Sequence, residues 1–220
     1  MSLVKSKFLL PAIFVLVFAL SRIPGLMPLN FSVAYAFAFC CGAFFPGRRG
    51  WWLPLATIFA TDIGLNFYYQ HTVPGADVWS TANLLNLAAN YVAYAVLIFL
   101  GRGFKPKSSL AGLVGGGILG AILFYFITNT ASWLFNPFHN PEYTKTLWGW
   151  LIALTKGTAG YPQTWEFFRN TLLSGGLFTL LFGAAAKISA ESPADKTAGA
   201  RAPEKDEKEE PKEEPEEAKA

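Results

Sequence analysis

Residues 51–69 read WWLPLATIFATDIGLNFYY, nineteen mostly apolar residues that as a helix reach about 28 Å, close to the thickness of bilayer hydrocarbon. Asp62 lies in the second half of this run, with Thr61 beside it and Asn66 one turn on. Residues 1–190 contain four acidic side chains, Asp62, Asp77, Glu142 and Glu166, and of these Asp62 alone lies well inside an apolar run. A carboxylate at that depth costs about 2.5–3.5 kcal/mol on insertion scales, so it has to face a cavity or a partner rather than lipid. That requirement makes Asp62 the centre of the expected site.

Apolar runs long enough to span recur along the chain, at about 8–20, 31–45, 82–100, 110–135 and 165–188. The expected fold is therefore all-α: a polytopic membrane bundle of six transmembrane helices over residues 1–188. Residues 8–20 are taken as a first span; the alternative is a signal peptide ending at Ala19-Leu20-Ser21. The nine residues LWGWLIALT, 147–155, are too few to cross and predict an interfacial or re-entrant helix. Residues 191–220 hold eleven Asp/Glu against six Lys/Arg, a net charge of −5, while residues 1–190 hold four against twelve, a net of +8. The Glu-, Lys-, Pro- and Ala-rich end, from 189 to 220, has too little apolar surface to fold and is expected to be a disordered cytoplasmic tail.

Basic residues mark one side of the bundle. They stand at the N-terminus, at Arg48-Arg49, at 102–107 and at Lys187, which places both termini in the cytoplasm by the positive-inside rule. With that orientation the polar residues of four spans fall at one level, toward the outside. They are Asp62 and Asn66; Asn83, Asn86 and Asn90, which share one helix face; Thr128, Asn129 and Ser132; and Arg169, Asn170 and Ser174. An outward-opening pocket near Asp62 and Arg169 satisfies all of them. The candidate substrate-binding residues are Asp62, Asn66, Asn86, Asn90, Asn129, Trp133, Arg169 and Asn170. Three roles stay open for Asp62 and Arg169: a structural ion pair, ligand contact, or ion coupling. Trp79, Trp133, Trp148, Trp150, Tyr161 and Trp165 lie at the same level and read as an interfacial belt or as walls for a flat ligand.

Other chemistry is not signalled. Cys40 and Cys41 are adjacent in an apolar run and read as small apolar filler, His71 and His139 lie in loops, and no metal-ligand spacing or enzyme motif occurs. No cofactor, no nucleic-acid partner and no enzymatic activity are expected. The row Ala34, Ala38, Gly42 allows close helix contact, as does Gly112, Gly116, Gly120.

The segments NFSVAYAFAFCCGAFF (30–45), LATIFATDIGLNF (55–67), FYFITNTASWL (124–134) and FFRNTLLSGGLFTLLFG (167–183) together resemble a family of uncharacterised bacterial inner-membrane proteins. That family is in turn similar to the substrate-binding (S) component of energy-coupling-factor (ECF) transporters. The resemblance implies a membrane subunit that takes a vitamin-like small molecule from outside. It also implies a transmembrane coupling subunit and cytoplasmic ATPases as partners, with Ala34 and Ala38 as the matching small pair for subunit contact. The competing expectation is a non-transporting membrane scaffold whose acidic tail recruits a cytoplasmic partner.

Overall fold

Seven α-helices and no strand form the described part of the computed structural model, residues 9–190: α1 (Leu9–Ser21), α2 (Ala34–Phe44), α3 (Arg49–Thr72), α4 (Thr81–Arg102), α5 (Leu110–Phe135), α6 (Leu147–Thr155) and α7 (Thr164–Ala190). The expected acidic tail beyond Ala190 and the basic N-terminal residues Lys5 and Lys7 lie outside the described residues.

The helices begin and end where the chain supplies caps and breakers. Ser80, Ser109 and Thr146 accept from the backbone N–H three residues on, capping α4, α5 and α6. Asn136, at φ 40°, ends α5 in the left-handed conformation that Asn tolerates. Pro46 and Gly47, the latter at φ 61°, stop α2 before α3 begins.

Helix α2 is the centre of the bundle. Every residue from Ala34 to Ala43 is buried, and α1, α3, α4, α5 and α7 all pack on it. Phe14 and Phe18, one turn apart on α1, reach inward to stack on Phe182 and Phe37 at centroid separations of 4.1 and 4.7 Å. The expected small-residue row does form a close contact. A Cβ on Gly42 would lie 2.3 Å from the Ile98 carbonyl oxygen, and one on Gly101 would lie 2.1 Å from the Phe39 carbonyl oxygen, so α2 and α4 touch backbone to backbone. On α5, Gly116 and Gly120 face ring and Leu side chains of the core, while Gly117 lies against Thr179 of α7.

This arrangement corrects two expectations. Ala34 and Ala38 have no exposed surface, because α2 is enclosed on all sides; they pack inside the chain and offer nothing to a coupling subunit. And among the described residues three helices, not six, are long and apolar enough to cross a membrane: α4, α5 and α7. Helices α1 and α2 are apolar but have 13 and 11 residues, about 20 and 16 Å of rise. Helix α3 has 24 residues but is diluted by Thr61, Asp62, Asn66, Gln70 and His71.

The outer faces of the long helices carry exposed Val92 and Phe99, Leu119 and Ile122, and Leu173, Leu177 and Leu181. Apolar side chains this numerous on an exterior suit a lipid surround rather than water. Helix α6 lies against α5 and α7, as a short non-spanning helix would, tied by Trp150 Nε1 to Thr130 Oγ1 at 3.0 Å and by Tyr125 Oη to the Leu154 carbonyl at 2.5 Å.

Candidate ligand-binding cavity

On α3 the buried residues are Gly50, Pro54, Ile58 and Asp62, each four after the last. This stripe faces the bundle, and Asp62 is its last member. Its carboxylate forms an ion pair with Nη2 of Arg22, just beyond α1, and accepts a hydrogen bond from Tyr91 Oη of α4 at 2.9 Å. Asp62 is 8% exposed, so without these two donors it would be a desolvated charge. Replacing Tyr91 by Phe removes one donor and is expected to lower stability by about 1–1.5 kcal/mol. Thermal unfolding of the detergent-solubilised variant measures it, and an unchanged midpoint would show that Arg22 alone satisfies the carboxylate.

Of the three roles left open for Asp62 and Arg169, an ion pair between the two does not form, because Arg22 takes that place. Helices α3 and α7 each pack on α1 and α2 instead of forming an interface with each other, which keeps the two residues apart. Arg169 is exposed, its guanidinium 6.0 Å from the Trp165 ring centroid.

Arg22 connects the ion pair to a cavity of about 730 Å³, a size suited to a small organic molecule. Its wall is formed by the loop between α1 and α2 together with α2, α3, α4, α5 and α7. Asn86 and Asn90 come from α4, Thr128, Asn129 and Ser132 from α5, and Thr171 from α7. Tyr35, Tyr94 and Phe124 form an aromatic wall with centroid separations of 4.7 and 5.1 Å. A second cavity of about 370 Å³ shares Tyr69, Asn86 and Asn90 with the first and adds Asn66. A further one of about 490 Å³ shares Asn129 and Ser132 and continues under the loop that carries Tyr143, Thr158 and Tyr161. Burial raises the Tyr143 phenol above its usual range, so it stands there as a neutral hydroxyl.

Four of the expected ligand residues thus line cavities: Asn66, Asn86, Asn90 and Asn129. The other four do not, and three of them have another task. Asp62 holds Arg22. Trp133 donates from Nε1 to the Thr144 carbonyl at 2.7 Å and lies beneath Lys145 Nζ, anchoring the loop after α5. Asn170 donates to the Leu29 carbonyl at 2.9 Å, fastening the loop between α1 and α2 to α7. Arg169 lies outside the cavity lining. Sequence reading missed Arg22 and the tyrosines. The available signal for Arg22 was charge balance: between residues 8 and 47 it is the one charged side chain.

Among the described residues no group of three His, Cys, Asp or Glu side chains stands close enough to hold a metal ion. A model for one family matches residues 2–195, nearly the whole chain. The chain belongs to a family of unknown function (DUF6580). No curated protein and no solved structure matches it. The family assignment extends over all seven helices and the cavity they enclose, and it assigns no activity.

Proposed function

We infer that this member of the family is a multi-pass protein of the bacterial inner membrane, with both termini in the cytoplasm, that captures a small molecule from the outside for import. The observation that carries the reading is the cavity of about 730 Å³, lined with amides and hydroxyls from α2, α3, α4, α5 and α7 and lying at one end of an otherwise apolar bundle. A structural network would bring these groups into contact with one another. Here the side-chain amides of Asn86 and Asn90 have no hydrogen-bond partner among the described residues and line open space instead. Basic residues cluster at the opposite end, which supports an external opening. In a bilayer α4, α5 and α7 cross fully, while α1, α2 and α3 complete the bundle within it, giving the six-helix arrangement expected of the S-component resemblance. Transport would then require a coupling subunit and cytoplasmic ATPases, which would dock on a face other than Ala34 and Ala38.

Native mass spectrometry of the detergent-purified protein tests this reading. The wild type is expected to carry a small-molecule adduct that is lost from an Asn86→Leu/Asn90→Leu variant of equal thermal stability. An adduct retained in full by the variant would overturn the cavity assignment.

A further inference from the structure

Arg22 is the one charged side chain among the residues lining the main cavity. A guanidinium carries five N–H donors in a planar fork. Asp62 engages Nη2, while Nε is buried and has no partner. Asp62 therefore leaves part of the guanidinium's donor capacity unused. Around it stand groups of a different kind. Asn86 and Asn90 have free amides, and Asn129 uses Nδ2 on the Tyr125 carbonyl at 2.8 Å, leaving its Oδ1 available. Tyr35, Tyr94 and Phe124 supply flat apolar surface.

We propose that the cavity selects a small monocarboxylate, receiving its acid group on the unused edge of Arg22 and its remaining polar atoms on Asn86, Asn90 and Asn129. The inference rests on the reading of this cavity as a ligand site and adds the chemical class of the ligand. Arg suits the task because its planar fork matches two carboxylate oxygens at once. Asp62 then has two effects. It holds the guanidinium at the cavity edge, and it competes with the ligand for the same positive charge. A dicarboxylate or phosphate ester would bring a second charge for which the wall has no cation. A neutral carbonyl could accept one guanidinium N–H, but it brings no charge and one oxygen instead of two to the fork.

The test is a thermal-shift and direct-binding screen of the full-length protein in nanodiscs, using a paired library of small carboxylic acids and their isosteric primary amides, nicotinate with nicotinamide and benzoate with benzamide among them. Acids are expected to bind and their amides to fail. Binding of an acid should fall at least tenfold in Arg22→Lys, which keeps the charge but loses the fork. It should tighten about tenfold in Asp62→Asn, equivalent to about 1.4 kcal/mol of relieved competition. If Arg22→Lys fails to fold, the Arg22→Gln/Asp62→Asn pair, which removes both charges together, replaces it and is expected to lose acid binding altogether. Amides binding as well as acids, with loss in Asn86→Leu/Asn90→Leu, would overturn the carboxylate inference and leave the ligand site standing. Acid binding unchanged in the Arg22 variants would overturn it too. No binding by either half of the library, with no adduct on the purified wild type, would overturn both.

Discussion

Arg22→Gln should be among the most destabilising single changes in the described chain, at about 3–5 kcal/mol, because it leaves Asp62 buried with one neutral donor. The carboxylate belongs to a helix stripe that faces the bundle, and its two partners come from outside α3: Arg22 from the end of α1 and Tyr91 from α4. Asp62 is 8% exposed and continues the buried stripe of Gly50, Pro54 and Ile58, so its carboxylate has little access to water. The pair resembles other buried ion pairs in that removing one partner costs more than removing both. Arg22→Gln/Asp62→Asn is therefore expected to recover most of the loss. Unfolding midpoints of the two single variants and the double in the same detergent give the coupling energy. Strict additivity would show that the two charges do not act as a pair, and the assignment of Arg22 as the partner of Asp62 would fail.

The second large effect is expected where α2 meets α4. Gly42→Ala places a methyl 2.3 Å from the Ile98 carbonyl oxygen, and Gly101→Ala places one 2.1 Å from that of Phe39. Both obstacles are backbone, so neither can rotate away, and the helices have to separate. Overpacking of this kind costs about 1–3 kcal/mol at each site. The two should be less than additive, because one displacement of α4 from α2 relieves both contacts. Asn86 and Asn90 ride on α4, so the same displacement should alter ligand binding as well as stability. Gly115→Ala supplies the control: a Cβ there meets nothing within 4 Å, and the change should be neutral or stabilising by up to about 1 kcal/mol through helix propensity. Equal behaviour of Gly42→Ala and Gly115→Ala would show that the close approach of α2 and α4 is not a constraint on the fold.

Much of this architecture is legible in the chain itself. Runs of apolar residues between Pro, Gly and capping Ser or Thr place the helices to within a few residues, because local propensity and capping act over a few residues only. The nine-residue α6 was legible from its length for the same reason. Alternation of direction from one helix to the next brings Asn86, Asn90 and Asn129 to the same end, a consequence of connectivity that needs no packing information.

What the sequence by itself determined, then, is an all-helical chain with its polar side chains gathered at one end and an acidic group that had to find a partner. Only the tertiary structure decided which partner. Arg22 and Arg169 both lie at the right end of the bundle, and the choice between them depends on α1 and α3 being neighbours while α7 packs on α5 and α2. Neighbour relations among helices come from the fit of side chains on several faces at once, and no local pattern encodes that. The same holds for Ala34 and Ala38. A row of small residues announces that another helix approaches closely, but not whether that helix belongs to this chain or to another. It is the burial of α2 on every face, by five other helices of the same chain, that answers it.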